Sequence, residues 1–204
     1  MTPGIIISAF LFFLTPDIII TENVDLISAG HFVESTPADS IQWMSMEEVN
    51  KIVEKNIKKN KAKVDKMIMV DFYTDWCGWC KRLDKETYMD AEVIELMNKY
   101  FYALKFDAEQ KDSCSFAGKE YKFKASGSRG THGFASEMAT RPGGRIGYPT
   151  ITFISPMGEK IAVEAGFKDA HKMKLTLLYY GEGHYKTKDF ITFQTEYNQN
   201  QLTD

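Results

Sequence analysis

Asp71-Phe72-Tyr73-Thr74-Asp75-Trp76-Cys77-Gly78-Trp79-Cys80-Lys81 is a strand end running into a Cys-x-x-Cys pair, and most of the architecture follows from it. Its first residues close an apolar run, Met67-Ile68-Met69-Val70-Asp71-Phe72-Tyr73, that reads as a buried β-strand. Two thiols at this spacing, at the start of a helix, can close a small disulfide ring. Unpaired N–H groups and the helix dipole lower the pKa of the first thiol. Cys77, at an exposed helix start, is therefore the expected nucleophile, and Cys80, one turn deeper, the resolving thiol. Together they are the minimal machinery of thiol–disulfide exchange. Lys81 and Arg82 add positive potential there, and Asp75 opposes it. An aspartate inside an apolar strand is desolvated, which raises its pKa, so Asp71 is the candidate base for the Cys80 proton. The competing reading is a carboxylate that caps or pairs with a neighbouring lysine. Far downstream, Gly147-Tyr148-Pro149-Thr150 opens another apolar strand, Ile151-Thr152-Phe153-Ile154. An X-Pro bond feeding a strand is a candidate cis peptide.

These residues resemble the thioredoxin superfamily. The resemblance rests on Asp71 six residues before Cys77, on Trp76, and on Pro149 followed by Thr150. It extends to a glycine turn in Ser155-Pro156-Met157-Gly158-Glu159-Lys160 and to Gly166 before the last core helix. Within the superfamily, Asp71 to Val93 looks most like the C-terminal periplasmic domain of the DsbD disulfide reductases. That domain carries Asp-x-Tyr-x-Asp-Trp-Cys-x-x-Cys-Lys, then an acid, here Asp84, and a Thr-aromatic-x-Asp stretch, here Thr87-Tyr88-Met89-Asp90. The resemblance covers roughly residues 41–180. It implies an α/β thioredoxin-like fold, a central mixed sheet flanked by helices, with a redox-active Cys77–Cys80 disulfide and no other cofactor. It also makes Asp84 a possible modulator of the site.

The chain departs from the family in three places. Gly78-Trp79 stands between the cysteines instead of Gly-Pro, Lys105 does not fall where the family places the lysine facing its buried acid, and an insertion of about 108–146 precedes the proline loop. That insertion is expected to act as a lid bordering the redox site and forming one wall of the substrate groove. On this reading, replacing it by a short Gly/Ser turn leaves a folded domain.

With 204 residues, 44% hydrophobic and 26% charged, the chain has the composition of a globular protein with one sizeable core. A net charge of −3 without an extended basic surface argues against nucleic acid as a partner. The exception, Lys58-Lys59-Asn60-Lys61-Ala62-Lys63, reads as a solvated helix end. Ile5–Leu14 has the length of a signal-peptide apolar region and is too short to span a membrane. No Lys or Arg precedes it, and a core strand or a mis-called start codon is the alternative. The expected organisation is a hydrophobic segment over 1–20, a linker over 21–40, the thioredoxin-like domain over 41–186 and a tail over 187–204. A periplasmic or otherwise exported location follows, with a cytoplasmic one as the alternative.

Ser45-Met46-Glu47-Glu48 is a capping box opening a helix with Val49, Ile52, Val53 and Ile57 on one face. Asp90 caps a helix holding Val93, Ile94, Met97 and Phe101, and Tyr102–Phe106 is the next strand. In the insertion, Phe116–Phe123 alternates around Gly118 as a small hairpin, Ser126–Gly130 is a flexible turn, and His132–Thr140 forms a short helix. Asp169 caps the last core helix, with Met173, Leu177 and Tyr180 inward, and the tail from Lys188 adds one short helix.

A zinc site wants four ligands, and Cys114 with four scattered histidines does not supply them, so no metal is expected. Tyr148, Pro149 and Thr150 are expected to line a groove for an extended peptide, with Trp76 and Trp79 as an apolar rim. Cys114 is by default a bystander. The function implied is thiol–disulfide exchange on protein thiols and disulfides, as a reductase of exported proteins, by a monomer working with an unidentified electron donor or acceptor. The alternatives are an oxidase or isomerase, and a binding or chaperone module without redox turnover.

Overall fold

The computed structural model describes residues 39–60 and 66–201, all within one unit spanning 35–204. The segment 1–20 and nearly all of the 21–40 linker lie outside the described residues. After the short strand β1 (Trp43–Met44), α1 (Met46–Lys59) starts at Ser45. Ser45 and Glu48 satisfy one another's backbone N–H groups as a capping box. The centre of the sheet is β2 (Met67–Tyr73), which leads through α2 (Gly78–Arg82) into one π-helical turn, Leu83–Thr87. Helix α3 (Ala91–Tyr100), capped by the Asp90 side chain, returns the chain to β3 (Phe101–Asp107). Phe101 thus opens the strand beside Met67 instead of ending the helix, as the sequence pattern had suggested.

The insertion follows as two hairpins and a short helix. Strands β4 (Cys114–Phe116) and β5 (Lys119–Tyr121) pair across Ala117-Gly118, both at positive φ, the geometry of a tight two-residue hairpin turn. Ser126–Gly130, expected to be a flexible turn, belongs to a second hairpin, β6 (Phe123–Ser126) with β7 (Arg129–His132). Gly130 is required there, because a Cβ would stand 2.3 Å from the Phe123 ring. Helix α4 (Gly133–Met138) begins at His132, whose Nδ1 accepts the Phe134 N–H and whose Nε2–H donates to the Asp112 carbonyl. Burial holds this imidazole's pKa below its usual value. The neutral ring therefore ties the start of α4 to the loop that precedes β4.

Strands β8 (Thr150–Ile154) and β9 (Lys160–Ala165) complete the sheet, before α5 (Ala170–Gly181), a 3-10 turn and α6 (Phe190–Gln201). The strand order is β1-β3-β2-β8-β9, with β1 and β2 parallel to β3 and the last two antiparallel. Side chains alternate between faces along each strand. Met67, Met69, Phe101, Ala103, Ile151 and Phe153 pack on one face against α3, α5 and Phe193 of α6. Ile68, Val70, Phe72, Leu104, Phe106 and Ile154 pack on the other against α1 and the insertion. By the same parity Asp71 and Lys105 belong to the first face.

Two expectations are corrected here. In α1 the buried position goes to Asn56, which donates to the Pro156 carbonyl at 3.2 Å, while Ile57 is 42% exposed. The loop that α1 covers presents a carbonyl, and an amide satisfies it where isoleucine does not. The insertion, moreover, is no lid over a finished core. Phe134 is fully buried and meets Phe72, Phe106, Phe116 and Tyr121 at centroid distances of 5.0–5.6 Å. Cutting the segment to a short turn would uncover one face of the sheet, so a folded remnant is not expected.

Candidate redox site

At the end of β2 the Thr74 carbonyl accepts the Cys77 N–H at 3.0 Å, turning the chain so that Cys77 caps α2. Cys77 and Cys80 are joined as a disulfide with Cα atoms 5.3 Å apart. The Cys80 N–H points at Cys77 Sγ at 3.1 Å. In the reduced state that N–H is a ready donor to a Cys77 thiolate, a charge-assisted bond favouring ionisation. Cys77 is only 4% exposed, contrary to the expected exposed helix start. Ring closure ties its sulfur to the buried Cys80.

The Tyr148–Pro149 peptide bond is cis, and the Pro149 carbonyl accepts the Gly166 N–H at 2.8 Å. Tyr148 meets the Trp76 ring edge-on at 6.0 Å, which brings the proline loop against the residue preceding Cys77. Thr150 does not line a groove. It is wholly buried, and its hydroxyl donates to the Gly147 carbonyl at 2.6 Å, bracing the loop from beneath.

Trp76 and Trp79 are each 55% exposed and form a rim. The Trp76 indole N–H donates to Glu109 at 3.2 Å, and Arg129, at the tip of the second hairpin, lies 5.1 Å from its ring. Trp79 packs on Phe167 at 5.5 Å, and Arg82 lies over both rings while pairing with Glu86. Much of the Arg82 charge is therefore spent locally rather than on the sulfurs.

Asp71 is 1% exposed, and neither of its oxygens finds a hydrogen-bond partner among the described residues. Burial pushes its pKa up to about 7, Lys105 opposes that shift, and Asp84 adds to it. Lys105 stands directly beside Asp71 in the β2–β3 register and makes an ion pair with Asp84. Lys105 therefore does face the buried acid, contrary to the expectation that it does not fall where the family places the lysine that pairs with that acid. A pairing register between two parallel strands is not written in either strand alone.

The sequence profile of the thioredoxin-like domain matches residues 53–181. The chain belongs to the thioredoxin-like family. It is 32% identical over 76 residues to the thiol:disulfide interchange protein DsbD of Colwellia psychrerythraea, covering 37% of this chain and 12% of that protein. It is 26% identical over 138 residues to the protein disulfide-isomerase of Hordeum vulgare, covering 67% of this chain and 21% of that one. The chain thus spans a small part of both curated relatives. A solved putative disulphide-isomerase from Bacteroides thetaiotaomicron is 27% identical and covers 71% of this chain and 95% of its own, with a TM-score of 0.45.

In this thioredoxin-like site the structure gathers Cys77, Cys80, Trp76, Trp79, Tyr148 and Pro149 at the end of the sheet, with Asp71 and Asp84 on its α3–α5 face. Reasoning from sequence missed Lys105, Arg129, Phe167 and Tyr88. Tyr88 stood in the Thr87-Tyr88-Met89-Asp90 stretch without a role of its own; the other three depend on tertiary pairing. Cys114 stands apart in β4, its thiol pushed up to about 11 by burial. Among the described residues no cluster of three or more His, Cys, Asp or Glu suits a metal ion, and no helix is long and apolar enough to cross a membrane.

Proposed function

We propose that this protein is a thiol–disulfide oxidoreductase that reduces disulfides of exported proteins. The observation that carries the reading is the closed Cys77–Cys80 pair at a helix start, just beyond a strand that buries the Asp71 carboxyl, whose pKa burial pushes up to about 7. In the reduced protein the Cys77 thiolate attacks one sulfur of a substrate disulfide. An S–S bond to Cys77 forms as the substrate bond breaks, and the first substrate thiolate leaves. Asp71 takes the proton of Cys80, whose sulfur then attacks Cys77 Sγ. The second substrate thiolate departs and takes the proton back, leaving the Cys77–Cys80 disulfide. A dithiol donor returns two electrons and two protons. A base near pH 7 suits both proton transfers.

Trp76, Trp79, Tyr148 and the Pro149 loop support binding of an extended peptide, in which backbone pairing gives affinity and the aromatic rim adds contact area. Arg129 extends that rim from the insertion. Arg129→Ala is expected to raise KM for a protein disulfide about 2- to 5-fold, the worth of an exposed cation–π contact. Steady-state kinetics checks this, with the thermal midpoint lowered by no more than the loss of one exposed cation–π contact, about 0.5–1 kcal/mol, allows. The apolar run Ile5–Leu14 supports a location outside the cytoplasm.

The deciding experiment is turnover of a protein disulfide by the wild-type chain with a dithiol donor, together with equilibration of the Cys77–Cys80 couple against glutathione. A potential near that of thioredoxin, about −270 mV, supports a reductase, and one near −120 mV an oxidase. Binding without turnover or equilibration would leave a holding module instead.

A further inference from the structure

Tyr88 follows the π-helical turn and is 5% exposed. Its hydroxyl is buried without a hydrogen-bond partner of normal geometry, and so are both oxygens of Asp71. These groups lie within interaction range of one another in the buried interior. The Tyr88 ring meets Trp43 edge-on at 5.2 Å, the same Trp43 ring receives the Lys105 ammonium at 5.8 Å, and Lys105 stands beside Asp71 in register. A buried hydroxyl and a buried carboxyl that lack other hydrogen-bond partners gain by turning to each other, since either alone bears a desolvation cost.

We propose that Tyr88 is a positioning residue for proton transfer, donating a hydrogen bond to Asp71 whenever Asp71 is charged. The proposal rests on the oxidoreductase reading above. The groups facing Asp71 are Lys105 from β3, Asp84 and Tyr88 from the π-helical turn and its end, and Tyr73 from the same strand. Lys105 is shared with Asp84, so its charge is not wholly available to Asp71. Tyr88 supplies what the ion pair does not, a neutral donor in contact with the carboxylate. Burial, together with the neighbouring carboxylates, holds its own pKa well above 10, so it stays a donor throughout the working range. By favouring the charged form of Asp71, the hydrogen bond offsets part of the cost of burial and keeps the base usable at neutral pH.

The test is Tyr88→Phe, which removes only the hydroxyl. The Asp71 carboxyl is titrated by carbon-13 NMR in the oxidised protein, and the pH profile of mixed-disulfide resolution is measured by single turnover. Both midpoints are expected to rise by about one pH unit, a tenfold loss of charged Asp71 below them. In an Asp71→Asn background, Tyr88→Phe is expected to have no further effect on resolution. An unchanged Asp71 midpoint, or an equal slowing in the Asp71→Asn background, overturns the proposal. The NMR titration needs no turnover, so it judges Tyr88 even if the wild-type chain proves inactive, which would overturn only the oxidoreductase reading.

Discussion

Cys77→Ser is expected to bring reduction of protein disulfides down to the uncatalysed rate, whereas Cys80→Ser should complete one attack and stop as a covalent complex. Burial does not distinguish the two cysteines, at 4% and 3% exposed. The hydrogen bond does. The Cys80 N–H is aimed at Cys77 Sγ, so a charge on Cys77 is stabilised by the first turn of the helix, and none of that donor capacity serves Cys80. Non-reducing electrophoresis reads the trapped complex directly. Alkylation of the reduced protein at mildly acidic pH should label Cys77 first. Labelling of Cys80 first would reverse the assigned roles.

Asp71→Asn should act in opposite directions on stability and on catalysis. The folded protein holds the Asp71 proton up to about pH 7, against an ordinary value of 3.8. Between those values the native state binds more protons than the unfolded chain, so stability falls as pH rises. The favourable contribution is complete below about pH 4 and is lost as pH passes 7. At 1.36 kcal/mol per unit the limit is about 4 kcal/mol. Denaturation at pH 8 should therefore find the variant more stable than the wild type by up to that amount, and at pH 4 close to it. Resolution of the mixed disulfide should slow about a hundredfold, the usual worth of a general base, while attack by Cys77 is little changed. Equal slowing of both steps, or no pH-dependent difference in stability, would reduce Asp71 to a structural carboxylate.

Much of this was legible because the informative signals are local. Apolar alternation marks Met67–Tyr73 as strand, and Ser45, Asp90 and Asp169 each stand at a helix start with a side-chain oxygen that accepts the orphan N–H groups. What stayed hidden depends on pairing over distance. The second hairpin has no apolar alternation in Ser126–Gly130, and its register comes from Phe123 opposite His132 and from close packing on Gly130. Lys105 lies beside Asp71 only once two parallel strands have chosen a register. Tyr88 reads as one more core aromatic, and only its unpartnered hydroxyl sets it apart.

Met67, Met69 and Asp71 point to one side of β2, and Ile68, Val70 and Phe72 to the other, where the insertion packs. Mutations in 108–146 therefore reach the redox strand through residues that do not share a face with the acid. On the proposed function, the rim at the hairpin tip around Arg129 can change over generations without touching the face that carries Asp71. If the proposed exchange activity holds, a chain built this way can acquire new clients without having to rediscover how to release them.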